Sequence, residues 1–353
     1  MRGAWVRGTL HVAALAAMLA SGALPCAAQG LPRVAILTMG GTIAGGPAGE
    51  DYGAEDFLRE VPQIREVADI VHVEEVARAG SSKITPANWL SLAKRIDQLF
   101  RADPNLAGIV VTHGTDSLEE TAFFLHLTTR DARPVVVVGA MRDWNKIAPD
   151  GPANLYAAVR VAAHPDAVGK GGLVVMNDEI SSSRDVRKTD ALRLHTFRAL
   201  NQGFLGVVDE DAVLFYRDLL YRHTTKSEFD VSGLDRLPDV AMVADYTGSD
   251  GWAIREAAER GAAGIVVMGF PSGLLSTGST EAALEVAQRG IPIVHTSRAP
   301  LGRASDSYRV GRAGTPRPIS GRDHSPHKAR ILLMLALTRT RDFGEIQRIF
   351  DSY

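Results

Sequence analysis

The chain has 353 residues, 45% apolar content and a net charge of −2, which fits a globular protein of two domains and leaves no basic footprint for nucleic acid. No run of like charge points to a charged partner. Its one cysteine, Cys26, rules out an intrachain disulfide.

Residues 1–28 read as a secretory signal peptide. Arg2 and Arg7 form the basic end, and Thr9 to Ala20 form an apolar core too short to span a bilayer. Pro25 then breaks the helix, and Ala27 and Ala28 suggest cleavage before Gln29. A periplasmic or secreted protein is expected, without cysteine and without a membrane anchor.

The first strand pattern lies in Arg33 to Gly46, RVAILTMGGTIAGG, an apolar run that ends in glycines around Thr42. A buried strand of this kind delivers Thr42 to a tight turn, where small neighbours leave room for a ligand. Pro47 to Gly53 follows as a loop, in which Tyr52 either folds over the site as a lid or packs on the surface. Val71 to Val76 reads as a short strand, followed by Gly80, Ser81 and Ser82. Thr85-Pro86 opens a helix whose apolar face is Trp89, Leu90, Ala93, Ile96 and Phe100. Gly108 to Val111 is a buried strand running into THGTD, and Ser117 to Glu120 reads as a capping box for a helix through Leu127. Thr115 and Asp116 therefore stand between a strand's carboxyl end and a helix's amino end. Ligands bind there in open parallel sheets, and the free amides favour negative charge.

Pro134 to Gly139, PVVVVG, is a continuous apolar strand, as expected in a sheet covered on both faces. A long loop, a helix over Ala153 to Ala163 and a strand over Gly172 to Met176 follow, leading into the polar loop NDEISSSRDVRKTD. From about Asp209 to Asp235 the alternation stops. It resumes with strands at Asp239 to Val243, Ile265 to Met268 and Ile291 to His295. Helices are expected at Trp252 to Arg260, Thr280 to Gln288 and Pro326 to Thr340, with a last one ending near Phe350. The fold class is α/β, with two α/β domains: a larger, doubly wound, mostly parallel amino-terminal one over 29–212, a linker over 213–235 and a smaller carboxyl-terminal one over 236–353.

A threonine hydroxyl attacks a carbonyl only when a base takes its proton. The chain has no G-x-S-x-G elbow. Its one S-x-x-K, Ser325 to Lys328, lacks an accompanying K-T-G and is also a good helix start, so it is set aside. A lysine near Thr115, held by Asp116, can serve as base. Lys188 and Lys146 both qualify on spacing. Asp323, His324 and His327 lack further ligands, so capping and surface solvation are expected of them and no metal. GGTIAGG lacks the spacing of a dinucleotide loop, and no cofactor is expected.

These residues resemble the asparaginase/glutaminase family, in particular bacterial type II L-asparaginases, from Leu31 to Tyr353. The motifs that carry the resemblance are MGGTIAGG at Met39 to Gly46 and THGTDSLEETAFFL at Thr112 to Leu125, with VVVVGAMR, DGPANLYAAV, GGLVVMND, RDVRKT and HKARILLMLALT. The resemblance implies an amidohydrolase that releases ammonia from the side-chain amide of asparagine, with glutamine as a further candidate substrate, and a homotetramer with sites between subunits. It implies Thr42 as nucleophile and Thr115, Asp116 and Lys188 as a supporting triad, with Lys188 favoured over Lys146 through RDVRKT. Asp116 is then expected to hold the substrate's α-amino group and Ser81 its α-carboxylate. The resemblance further implies that Gly80, Ser82 and Ala140 line the pocket, that the Thr115 amide faces the oxyanion, and that Tyr52 is the lid tyrosine. The sequence departs from the family at Ser82, Ser272 and Leu274, where other polar residues are common, and offers no glutamate over Ser305 to Arg312. An exported amino-acid-binding protein without turnover is the competing reading, and a cytoplasmic amidotransferase subunit a third.

Overall fold

The computed structural model describes residues 30–41, 43, 54–306 and 316–353; the leader, Thr42 and Tyr52 lie outside them. Pro32–Tyr353 forms one compact unit. Its larger sheet begins with β1 (Arg33–Thr38), followed by α1 (Ala54–Glu60), α2 (Ile64–Val67) and β2 (Asp69–Glu75). Helix α3 (Pro86–Ala102) starts at a Thr85 cap, as its sequence predicts, and Asn88 completes a capping box by accepting from the Thr85 amide. The five apolar residues predicted for its inner face are all buried. Then come β3 (Leu106–Thr112), α4 (Leu118–Thr128), β4 (Val135–Val138), α5 (Gly151–Ala163) and β5 (Gly172–Met176).

Strands β1 to β5 pair in parallel in the order β2-β1-β3-β4-β5. The chain reverses direction across the sheet between β1 and β3, and that is the point where open α/β sheets bind ligands. Val135 to Val138 are at most 2% exposed, because helices cover both faces of β4. Helix α4 packs with α3, whereas α5 packs with α2. Both α4 and α5 connect strands stepping the same way, so crossovers of one hand would place them on one face. With the usual right-handed links into β2 and β3, α5 makes the β4–β5 crossover left-handed, against the general rule. This brings α5 and the loop before it over the end of β1.

The segment read as a polar loop after β5 is partly sheet. Asn177 and Asp178, at φ 53 and 62, make a tight turn, and β6 (Glu179–Ser182) returns antiparallel to β5. Its serines are buried, Ser182 fully, so a core strand is written in polar residues. Lys188 then lies on β7 (Arg187–Lys188), paired with β8 (Phe197–Arg198). Strands β9 (Gly206–Val208) and β10 (Val213–Phe215) close the sheet antiparallel, so the first residues assigned to the linker are its edge strand.

The second sheet is parallel in sequence order: β11 (Val240–Ala244), β12 (Gly264–Gly269), β13 (Ile293–Ser297) and β14 (Ile319–Ser320). Helices α6 (Trp252–Glu259), α7 (Thr277–Gln288), α8 (Pro326–Ala336) and α9 (Phe343–Ser352) accompany it. Helix α8 packs on β11, β12 and β13 and also on α4 of the first half. It is apolar on nearly every side, as a helix buried between a sheet and another helix must be. Among the described residues no helix is long and apolar enough to cross a membrane.

Candidate active site

Three turns meet at the carboxyl ends of β1, β2 and β3 with only glycines between them. Met39 N donates to Thr112 O at 3.0 Å, and the chain then turns through Gly40 and Gly41 at φ 83 and 95. A Cβ on Gly40 would lie 2.8 Å from Ala79 O, and one on Gly41 2.2 Å from Gly114 Cα. A Cβ on Gly114 would meet Ser81 Oγ at 2.8 Å. L-residues are strained at such φ values, so the GG of the first motif is required twice over. On the other side of position 42, Ile43 is fully buried, its carbonyl accepting from Trp144 Nε1 at 2.7 Å. Gly151, where a Cβ would touch Ala140 and Ile43, closes that corner.

The loop carrying Ala140 and Trp144 is held by the DGPAN segment. Asp150 accepts from the amides of Met141 and Arg142, and Asn154 Nδ2 donates to Gly139 O. Ala140 itself is fully buried.

Thr115, 7% exposed, faces Lys188: Nζ donates to Thr115 Oγ1 at 2.9 Å and to Asp116 Oδ1 at 3.4 Å. The Asp116 side chain is 65% exposed and the lysine's 19%, so this carboxylate still faces the open side and can take a second cation. Ser81 is buried, and its Oγ accepts from Asp116 N at 3.1 Å. Gly80 and Ser82 flank it on the exposed side. The two lysines are placed differently: Lys146 is exposed in a turn closed by Asp143 O, whereas Lys188 Nζ donates to Thr115 Oγ1.

The capping box expected at Ser117 is absent. Ser117 makes no cap bond, because its hydroxyl donates to Ser81 O at 2.6 Å and ties the β2 and β3 turns together. Glu119, in the first turn of α4, instead accepts from Lys188 N, fixing the lysine's backbone. Position alone did not reveal that role.

His113 was also missed as a builder of the site. It is fully buried, and burial pushes its pKa down to about 4. Its Nδ1 lies 2.7 Å from Gly114 O, which can only accept, so Nδ1 carries the proton. Nε2 then accepts from Thr121 Oγ1 at 2.9 Å, and Thr121 accepts from the Trp89 indole at 2.9 Å. This neutral, fully bonded chain sets the Gly114 peptide that precedes Thr115.

Asp323 and His324 are not surface groups. Asp323 pairs with the buried Arg184, and His324 is buried between Phe123 and Phe350. Ser325 Oγ caps α8 by accepting from Lys328 N, the helix-start role expected of the S-x-x-K. A cavity of about 560 Å³ lined by Arg184, Gln202, Tyr221, Arg303 and Arg322 shares no residue with the threonine site.

The class defined by this fold and site is a two-sheet α/β protein with a lysine-contacted threonine at a topological switch point. Residues 33–221 match the family described as Asparaginase, N-terminal, and residues 239–350 match Glutaminase/Asparaginase C-terminal domain. The chain is 40% identical to an L-asparaginase 2 of Bacillus subtilis (strain 168), over 92% of this chain and 87% of that one. It is 38% identical to a glutaminase-asparaginase of Pseudomonas fluorescens biotype A, over 92% and 91%. A crystal structure of a probable cytoplasmic L-asparaginase from Campylobacter jejuni superposes with a TM-score of 0.84 at 40% identity, covering 91% of this chain and 99% of that one. The chain belongs to the asparaginase family and is an amidohydrolase. These matches support hydrolysis over binding without turnover.

Proposed function

We propose that the protein hydrolyses the side-chain amide of L-asparagine to L-aspartate and ammonia through a threonine nucleophile, with L-glutamine as a second substrate. The observation that carries this reading is the contact of Lys188 with Thr115 and Asp116 beside the Gly41 turn. In the reading, Thr42 Oγ attacks the amide carbon and its proton passes to the departing ammonia. Water then cleaves the acyl-threonine ester and regenerates the hydroxyl. The Thr115–Lys188 pair relays protons over its 2.9 Å contact. Amide donors at the amino end of α4, the Thr115 N–H among them, oppose the developing oxyanion, where one lost donor costs roughly 3–4 kcal/mol.

Substrate binding follows from charge. A zwitterionic amino acid needs an anion for its ammonium and donors for its carboxylate. The exposed Asp116 carboxylate supplies the first and the Ser81 turn the second, with Gly80, Ser82 and Ala140 as walls. Tyr52 completes the site as a lid residue and a candidate for activating Thr42.

The same reading includes export with loss of residues 1–28, domains over 29–212 and 236–353 joined by 213–235, and a homotetramer. The two family matches, over 33–221 and 239–350, support a division into two domains, the first running past 212. Amino-terminal sequencing and light scattering of the purified protein test the first and last of these.

The central test is ammonia release from L-asparagine, L-glutamine and D-asparagine by the wild type, Thr42→Ala and Thr115→Val. Release from L-asparagine by the wild type, abolished in both variants, is expected. An inactive wild type, or full rate in both variants, overturns the reading.

A further inference from the structure

Lys328 is the least expected residue in the molecule. It is 1% exposed, on α8 from the second half of the chain. Its Nζ donates to Arg184 O at 2.8 Å and to Val186 O, two carbonyls of the turn that leads into Lys188. The Phe123 ring lies beneath it, 5.7 Å from Nζ. Burying an ammonium is expensive unless its donors are met. An apolar residue would fill the space at lower cost, so the reason for a lysine lies in the two carbonyls it holds.

Those carbonyls matter because the segment they belong to is a turn with little regular structure of its own. The segment leaves β6 by a turn in which Asp185 N and Val186 N both donate to Ser182 O. It then forms only the two-residue β7 before Lys188 reaches Thr115. Its other fixed points include the Arg184 guanidinium on Asp323, Arg187 Nη1 on Pro300 O and the Lys188 amide on Glu119. Asp323, Lys328 and Pro300 all come from the second half of the chain, so that half holds the segment at three points.

We propose that Lys328 is a positioning residue for Lys188: by clamping the carbonyls of Arg184 and Val186, it sets the strand that aims Lys188 Nζ at Thr115 Oγ1. The inference rests on the reading of Lys188 as part of the catalytic triad. It gives the carboxyl-terminal half a role within the same subunit's chemistry, separate from any contact with a neighbouring subunit. Burial lowers the Lys328 pKa to about 8, opposed by the nearby carboxylates of Glu119 and Asp185. The clamp is thus a charged donor at neutral pH and weakens in alkali.

The test is a double-mutant cycle on ammonia release with Lys188→Met, Lys328→Met and the double variant, each checked for folding by thermal unfolding. Lys328→Met is expected to lower kcat about tenfold to a hundredfold, the scale of a small misplacement of a catalytic group, with KM within about twofold. In the Lys188→Met background, the same substitution is expected to cause no further loss. Multiplying losses, or an unchanged kcat in Lys328→Met, overturns the positioning role. Full activity in Lys188→Met alone overturns the triad reading instead, which separates the two failures. If Lys328→Met does not fold, Lys328→Gln, which keeps two N–H donors, takes its place in the cycle. If neither folds, Lys328 serves the fold as a whole and the proposal is overturned.

Discussion

Gly41 and Gly114 meet backbone to backbone, so closely that a Cβ on Gly41 would stand 2.2 Å from Gly114 Cα. The two threonine motifs are therefore joined by the absence of side chains, one glycine just before Thr42 and the other just before Thr115. Gly41→Ala adds the strain of a left-handed φ, about 1–2 kcal/mol, to a contact that only movement of the turn can relieve. The expected result is a loss of activity of about a hundredfold or more with the far-UV spectrum unchanged. Gly233, with nothing within 4 Å of its added Cβ, provides the control. A Gly41→Ala enzyme at wild-type rate would show that the turn does not place the nucleophile.

Ser81 Oγ accepts from the Asp116 amide, and Ser81→Ala strips that part-buried N–H of its partner. The substitution is expected to cost about 1–3 kcal/mol in kcat/KM. Most of this should appear as a raised KM for L-asparagine, because a group that holds the α-carboxylate acts on substrate and transition state alike. Steady-state kinetics on the two enzymes decide the point. An unchanged KM would remove Ser81 from the substrate site.

Much of this architecture was legible in the sequence because its parts are locally written. β1, β3, β4 and β5 are continuous apolar runs, and the Thr85 cap is a matter of four consecutive residues. The missed features depend on partners distant in sequence. β6 escaped notice because its buried serines look like a loop. Ser117 looks like a cap, yet its hydroxyl is claimed by Ser81 O, 36 residues away. Spacing does not tell Lys188 from Lys146; the resemblance through RDVRKT favours the first, and the fold carries it to Thr115. His324 and Asp323 read as solvated because the sequence does not show Phe123, Phe350 and Arg184 closing over them.

The pair between Arg184 and Asp323 is buried, with the arginine side chain 3% exposed and the aspartate 17%. The guanidinium stacks over the Tyr221 ring at 3.7 Å and keeps a second partner in Asp185 at 3.1 Å. Asp323→Ala leaves a buried charge half satisfied, and urea unfolding is expected to register a loss of about 3–5 kcal/mol. The pair between Arg260 and Glu256, with side chains 79% and 50% exposed, is the contrast. Its removal by Glu256→Ala is expected to change stability by less than about 0.5 kcal/mol. Equal effects from the two substitutions would mean that the buried pair contributes no more than a surface one.

Stability should fall as the solution is acidified, well before the carboxylates titrate. Burial lowers His113 from 6.5 to about 4 and His324 from 6.5 to about 3. His126, buried beside His223, is also held well below 6.5. Between those values and 6.5 the unfolded chain binds protons that the native protein does not. The stability linked to these groups is therefore complete above about pH 6.5 and is lost as pH falls toward 4 and 3. Each group contributes a slope of about 1.4 kcal/mol per pH unit within its window. The Asp323 carboxyl, held well below its ordinary range by Arg184, adds a loss of the same sign only under more acidic conditions. Urea midpoints measured at pH 7, 5.5 and 4.5 are expected to drop steadily, and more shallowly in a His113→Gln variant, whose neutral amide has no proton to gain. A flat profile over that range would mean that the three imidazoles are charged, or solvated, in the native protein.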